Sequence, residues 1–112
     1  MAVGDGEALF RCTPDASTYN PIGMVHGGIP CTLLDSAMGC AVHSTLPAGV
    51  GYTTLELKVN IVKAIGKDTG FLRAEGKLIH AGRSTAVAEG RLVDESGKLY
   101  AHATTTCMIL RP

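Results

Sequence analysis

A single carboxylate, Asp35, is the first candidate for chemistry in this sequence. Histidines apart, it is the only charged residue between Asp15 and Glu56. Its sequence neighbours are apolar, namely Leu33, Leu34, Ala37 and Met38. Because an ionised carboxylate without partners is costly in such surroundings, a role as a general base or a nucleophile is favoured. The alternative is a helix residue that faces solvent or forms a local salt bridge.

Two glycines, Gly27 and Gly28, precede Asp35 by about two turns of a predicted helix. A helix start presents unpaired backbone NH groups and the positive end of the helix dipole. Gly27 has no side chain to keep a substrate carbonyl from its NH, and one preorganised donor is worth roughly 10²-fold or more in rate. No Gly-Lys-Ser/Thr follows, so the match to a phosphate loop is weak. The spacing predicts half of an acyl-transfer site.

Two polar residues before the glycines are further candidates. Asn20 either caps a turn or uses its amide to donate to a carbonyl or to hold a water. His26 is best explained as a helix-entry residue that bonds the backbone, and the alternative is contact with a substrate. Cys31 lies in the first turn of the predicted helix without an evident base beside it. All four cysteines are therefore assigned to the core.

A second group of polar residues surrounds a predicted tight turn. Its members are Lys77, His80, Gly82, Arg83 and Ser84. From composition alone, a solvated hairpin is the simpler interpretation. The alternative is a site in which the Arg83 guanidinium binds the phosphates of a nucleotide-bearing thiol, because arginine pairs with phosphate in a bidentate manner.

The composition excludes several classes of protein. The 112 residues suffice for one domain, 1–112, and are too few for two ordinary ones. Ten basic and ten acidic side chains cancel without clustering, which argues against a nucleic-acid partner. No stretch has the ~20 consecutive apolar residues of a membrane span, and the N-terminus has no secretory-signal pattern. The histidine and cysteine spacings predict no metal site. A cytoplasmic protein is expected.

Periodicity and turn residues predict the elements that position the candidates. A helix is expected from Gly27 or Gly28 to shortly before Pro47, and its almost uniformly apolar surface predicts burial on every side. Strict alternation over 54–61 predicts a half-buried antiparallel strand. Further strands are predicted at 7–12, 71–81, 84–94 and 99–110. Gly76 and Gly90, inside two of them, predict a bulge or the close approach of another backbone.

The order of these elements, one strand, one helix and four strands in a meander, predicts an α+β fold. A curved antiparallel sheet of about five strands would wrap around the one central helix. This arrangement leaves the outer face and the edges of the sheet needing cover. Self-association into a homodimer or a homotetramer is therefore expected.

One motif resembles the signature of a known family. The pattern N-x-x-G-x-x-H-G-G over residues 20–28, followed by T-L-x-D over 32–35, is similar to that of the hotdog-fold acyl-CoA thioesterases, in the phenylacetate-degradation (PaaI-like) group. Residues 54–60 resemble the second strand of that family, and 82–83 and 97–99 resemble its later turns. The resemblance covers nearly the whole chain from Glu7 and implies the hotdog fold.

The resemblance also implies roles for individual residues. Asp35 would activate water or attack the thioester carbon of a substrate held by the neighbouring protomer across a dimer interface. The Gly27 NH would polarise the thioester carbonyl. Asn20 would orient the water or the thioester, and His26 would hold the loop and contact the carbonyl region.

A hydroxyl and a coenzyme A contact region are implied as well. Thr53 matches a position where relatives carry a hydroxyl that helps to place water. Some relatives carry a threonine where this chain has Gly39, so Thr53 or Ser36 would have to supply the hydroxyl. The region where relatives contact the CoA nucleotide corresponds to Lys77, His80, Gly82, Arg83 and Ser84.

The expected function is hydrolysis of an aromatic or a short- or medium-chain acyl-CoA to the free acid and CoA. No separate cofactor is expected, since CoA is part of the substrate. A hotdog hydratase or dehydratase is one alternative, but it would need a catalytic histidine with an acidic partner. A non-catalytic acyl-CoA-binding protein is the other alternative, and it would ordinarily carry an added domain.

Overall fold

The computed structural model describes residues 2–12, 27–66 and 69–112. One helix, α1 (Gly28–His43), packs against a six-stranded antiparallel sheet. The strands are β1 (Ala2–Gly4), β2 (Glu7–Cys12), β3 (Gly51–Ile61), β4 (Leu72–Ala81), β5 (Thr85–Asp94) and β6 (Leu99–Leu110). The predicted α+β hotdog fold, its helix and its five strands are confirmed.

The sixth strand, β1, was not expected from the sequence. It pairs with β2 through a turn at Asp5 and Gly6, whose φ angles are 53° and 82°. An Asp-Gly pair with two positive φ values is the usual chemistry of a two-residue hairpin turn. That dipeptide was therefore the local signal that predicts this strand.

The order of strands in the sheet corrects the predicted meander. The sheet runs β1-β2-β4-β5-β6-β3, so only β4, β5 and β6 form a meander. β3 pairs with β6 instead of β4. Since α1 connects β2 to β3, the helix carries the chain across the sheet, and β3 lies five positions from β1 at the opposite edge.

A row of small residues crosses the sheet beneath the helix. Ala8 pairs with Gly76, Gly76 with Gly90, and Gly90 with Ala103. A methyl group at position 76 would overlap the carbonyl of Ala37 and lie 2.8 Å from the amide nitrogen of Met38. Gly76 therefore marks the close approach of the helix backbone and Gly90 the packing of helix side chains, whereas the register shifts of these strands lie elsewhere, at Leu78/His80 and Leu92/Val93.

The helix is buried on one side within a single chain, which corrects the expectation of burial on every side. The side chains of Leu34, Ala37, Met38, Ala41 and Val42 are fully buried against the sheet. Thr32, Ser36 and His43 are exposed. The physical reason is that one sheet layer covers only the face of the helix that contacts it.

β3 is an edge strand, and its apolar side chains are more exposed than the predicted half-buried strand required. Leu55 is 54% exposed and Ile61 is 49% exposed. On one side β3 pairs with β6, and no described strand pairs with its other side. Among the described residues, no helix is long and apolar enough to cross a membrane.

Replacing each interior glycine by alanine tests the helix contact. Gly76→Ala places a methyl against backbone atoms that cannot rotate away, so it should lower the free energy of unfolding by about 3 kcal/mol. Gly90→Ala is the matched control, because its methyl meets the mobile tips of Met38 and Leu34 at 3.0 and 3.1 Å and should cost about 1 kcal/mol. Urea denaturation measures both, and equal losses would contradict the close approach.

Candidate active site

Asp35 projects from the middle of α1 towards β3. Its side chain is half-buried, and the Thr54 hydroxyl donates to its Oδ1 over 3.4 Å, at the long end of the hydrogen-bond range. No salt bridge joins Asp35 to any cation of the described residues. The carboxylate is thus half-buried and accepts a hydrogen bond from one neutral hydroxyl. It has oxygen lone pairs left to accept a hydrogen bond from a further donor, such as a water molecule.

The hydroxyl that contacts Asp35 within one chain belongs to Thr54, and the role implied for Thr53 by the resemblance stays a prediction. Thr53 is exposed and pairs with Met108 across β6. Adjacent residues of a strand point to opposite faces of the sheet, so the contact of Thr54 with α1 directs Thr53 away from it. Ser36, the other proposed source of a hydroxyl, is exposed on α1.

Tyr52 and two thiols complete the surroundings of Asp35. Burial, followed by the nearby Cys40, Cys107 and Asp35, raises the pKa of the Tyr52 phenol. Burial is also the main reason why the pKa of the Cys107 thiol is raised. Both groups therefore stay protonated at neutral pH. The prediction that all four cysteines belong to the core holds only for Cys107, since Cys12, Cys31 and Cys40 are partly exposed.

The start of α1 presents Gly27 at the surface. Gly27 is the N-cap residue and is exposed, and within the part of the chain that the structure describes it has no side-chain cap. The first turn itself carries no acidic residue that would oppose the positive end of the helix dipole. Cys31 NH donates to the Gly27 carbonyl over 3.4 Å, and Pro30 has no NH to leave unpaired.

Gly27 and Asp35 of one chain do not meet at one reacting atom. Both lie on one continuous helical segment, and the helical rise separates them by about 12 Å along its axis. A Cβ built on Gly27 would lie 3.5 Å from Cδ1 of Ile61, at the far end of β3 from Thr54. Asp35 and Gly27 therefore face opposite ends of the same edge strand.

Two predicted site residues, Asn20 and His26, lie outside the described residues. Their roles remain predictions.

The residues proposed to contact the CoA nucleotide fall into two places. Gly82, Arg83 and Ser84 form the β4–β5 turn, where Gly82 NH donates to the Thr85 carbonyl over 2.7 Å. His80 lies next to this turn, with its Nε2 atom 3.6 Å from a Cβ built on Gly82. The turn is at the Tyr52 end of the sheet, because Ile109 pairs with Tyr52 and its NH donates to the Ser84 carbonyl.

Lys77 is separate from this group. It lies on β4, five residues before Gly82, which corresponds to about 17 Å along the strand. Its neighbours in register are Glu7 and Glu89, and together with Glu75 and Arg91 it lines a depression of about 620 Å³. A Cβ at Gly76 would point towards α1, and successive side chains of a strand point to opposite faces. Lys77 and this depression therefore lie on the face of the sheet away from the helix.

Within the described ranges, no three histidine, cysteine or acidic side chains are grouped so as to hold a metal ion. The chemistry available to the described residues is that of a carboxylate with one adjacent hydroxyl, on a helix that begins at an exposed glycine. Such groups suit the attack of water or of the carboxylate itself on a carbonyl carbon.

Comparison with known proteins defines the class. The family described as the thioesterase superfamily matches residues 22–101. The chain belongs to this superfamily, and it is a thioester hydrolase with the hotdog fold. Within the superfamily it is PaaI-like, in agreement with its similarity to a putative thioesterase of Ralstonia eutropha titled as phenylacetic acid degradation-related.

The similarity to that structure extends over most of both chains. The identity is 32%, with 92% of this chain and 76% of the other covered and a TM-score of 0.84. A Bacillus halodurans protein solved with CoA is 37% identical, with coverage of 89% and 69% and a TM-score of 0.83. The 1,4-dihydroxy-2-naphthoyl-CoA hydrolase of Listeria monocytogenes is 26% identical over 97% of this chain and 87% of its own.

The Thr54 contact can be tested with its neighbour as the control. Thr54→Val keeps the shape of the side chain but removes the hydroxyl that meets Asp35, so kcat for thioester hydrolysis should fall about tenfold, the effect of one lost hydrogen bond. Thr53→Val, on the other face of β3, should change kcat less than about twofold. A larger fall in kcat for Thr53→Val than for Thr54→Val would favour Thr53 as the hydroxyl of the site, as the resemblance implies.

Proposed function

We propose that this protein hydrolyses acyl-CoA thioesters to the free acid and CoA, with Asp35 as the general base or nucleophile. The observation that carries the proposal is the half-buried Asp35 carboxylate beside the Thr54 hydroxyl, on a helix whose N-cap residue is the exposed Gly27. The first feature suits attack on the acyl carbon, and the second suits the oxygen that becomes negative in that attack.

The reaction would begin in one of two ways. Asp35 takes a proton from water as the water oxygen bonds to the thioester carbon, or its own oxygen attacks that carbon. The carbonyl oxygen then becomes an oxyanion, which the Gly27 NH binds. When the oxyanion collapses, the carbon–sulfur bond breaks and CoA leaves as the thiolate, which takes up a proton. Attack by water gives the free acid directly, whereas attack by Asp35 leaves a mixed anhydride that a water molecule hydrolyses to the free acid and the Asp35 carboxylate. No metal or redox cofactor enters these steps.

The active site would be shared between two copies of the chain. Within one chain the rise of α1 keeps Gly27 about 12 Å from Asp35, whereas a donor and the attacking group must both reach one thioester carbonyl within about 3 Å. A second copy can supply the missing half. This is the physical reason to place an oligomer, and not a monomer, at the centre of the mechanism.

The free edge of β3 offers a way to bring the two halves together. If two β3 edges pair antiparallel about a twofold axis at Lys58, and the extra residue at the Thr54/Glu56 register shift stays unpaired, Thr54 of one copy lies opposite Ile61 of the other. Because Ile61 adjoins Gly27 and Thr54 adjoins Asp35, the two halves of the site meet. The same pairing would cover the exposed apolar edge of β3.

The β4–β5 turn is the proposed contact for the CoA nucleotide. Arg83 and Ser84 are exposed there, at the Tyr52 end of the sheet, and a guanidinium suits the phosphates. The similarity to a protein solved with CoA supports this part of the proposal. Lys77 lies about 17 Å from this turn along β4. It would therefore contact the CoA nucleotide only of a substrate bound at another active site of the oligomer.

Aromatic acyl groups are the first substrates to examine. The relatives named above act on a naphthoyl-CoA or are related to phenylacetic acid degradation. Short- and medium-chain acyl-CoAs complete the panel.

The central experiment measures thiol release from this panel by wild type and Asp35→Asn. The amide has the size of the carboxylate but is neither a base nor a nucleophile, so kcat should fall by about 10³-fold. The mass of the oligomer and the thermal midpoint should be unchanged. Full activity in Asp35→Asn would refute the assigned role, and no release by wild type from any member of the panel would favour a non-catalytic acyl-CoA-binding protein.

Mixing two inactive variants tests the shared site. Gly27→Pro removes the NH and suits the φ of −57° observed at this residue, while Gly27→Ala keeps the NH as a matched control. After subunit exchange between Gly27→Pro and Asp35→Asn, each mixed dimer contains one intact site, so about a quarter of wild-type activity should return. If mixing restores nothing although mixed dimers form, the two groups do not act across an interface.

A further inference from the structure

The end of the Tyr52 side chain occupies the space that a side chain at position 39 would need. Gly39 is buried on α1, one turn after Asp35. A Cβ built on it would overlap the Tyr52 hydroxyl and lie 3.1 and 3.2 Å from Cζ and Cε2 of the ring. The hydroxyl therefore lies directly on the bare helix backbone.

The positions of strand and helix make this arrangement specific. Tyr52 and Thr54 are two residues apart on β3 and point to the same face, and Asp35 and Gly39 are four residues apart on the same face of α1. Thr54 meets Asp35 and Tyr52 meets Gly39. Two hydroxyls thus lie side by side, one on the carboxylate and one a helical turn further along.

The phenol of Tyr52 is held in place by ring packing. The Tyr52 ring packs against the His43 ring, with centroids 5.7 Å apart and planes inclined by 48°. No hydrogen bond joins the Tyr52 hydroxyl to any of the described residues. Because burial, followed by the electrostatic effect of Cys40, Cys107 and Asp35, raises the pKa of Tyr52, the phenol stays neutral and can donate.

We propose that Tyr52 is a further residue of the acyl site, whose hydroxyl, placed by the absence of a side chain at Gly39, hydrogen-bonds the water that attacks the thioester beside Asp35. The inference rests on the proposed function. A phenol that only filled space would not need the glycine beneath its oxygen, because the ring alone packs against His43. The bare backbone at Gly39 lets the oxygen approach the helix one turn from the carboxylate.

Removing only the hydroxyl separates this role from packing. Tyr52→Phe keeps the ring, so the thermal midpoint and KM should stay near the wild-type values, while kcat should fall about three- to tenfold, the effect of one hydrogen bond. An active wild type with an unchanged kcat in Tyr52→Phe would overturn the inference and leave the proposed function standing.

Moving the hydroxyl to the helix gives a stricter test. In a Tyr52→Leu background, which clears the space above Gly39, Gly39→Ser restores a hydroxyl near the original oxygen, and Gly39→Ala fills the same space without one. The serine variant should regain at least about threefold in kcat over the alanine variant. Equal kcat values in the two would show that the space matters and the hydroxyl does not.

One measurement does not depend on activity. With ring-¹³C-labelled tyrosine, the resonance missing from Tyr52→Phe identifies Tyr52, and its pH titration is compared in wild type and Asp35→Asn. Removing the negative charge makes the phenol easier to ionise, so the pKa of Tyr52 should fall, with Cys40, Cys107 and His43 unchanged around it. An identical pKa would place the phenol away from the carboxylate and overturn the inference, even if wild type hydrolyses none of the panel.

Discussion

The backbone of α1 touches the backbone of the sheet where Ala37 crosses Gly76. A contact this close exists only because four strands present no side chain larger than a methyl in one row, at Ala8, Gly76, Gly90 and Ala103. The helix axis consequently lies close to the sheet. Residues of the middle turns of the helix contact side chains on β3, as Asp35 does with Thr54.

The candidate site follows from that low position. Asp35 reaches the Thr54 hydroxyl, and Gly39 receives the end of Tyr52, because α1 and β3 lie side by side over these turns. Among the described residues, the outer side of the helix stays exposed at Thr32, Ser36 and His43 and no strand pairs with the second edge of β3, because one sheet layer covers only one side of a helix. The packing of α1 beside β3 therefore forms one half of the proposed site and leaves exposed the surfaces on which a second copy of the chain would bind.

Local patterns in the sequence were sufficient for most of the secondary structure. The alternation over 54–61 and the turn-forming prolines and glycines predicted the right element types, and Gly76 correctly predicted the close approach of another backbone. The pairing of β3 with β6 was missed, because strand order depends on how the helix crosses the sheet. The contact of Thr54 with Asp35 was missed for a related reason, since the face that an edge strand turns to the helix depends on its register with its neighbour.

The sequence by itself determined an isolated carboxylate, a glycine doublet two turns before it, and a helix that needs cover, because these depend on residue type and on the fixed periods of helix and strand. Only the tertiary structure decided which hydroxyls stand beside Asp35, that Gly39 leaves room for the phenol of Tyr52, and that Lys77 is remote from Arg83. The physical reason is that such neighbours are distant in sequence, and a register shift of one residue moves a side chain to the opposite face of the sheet.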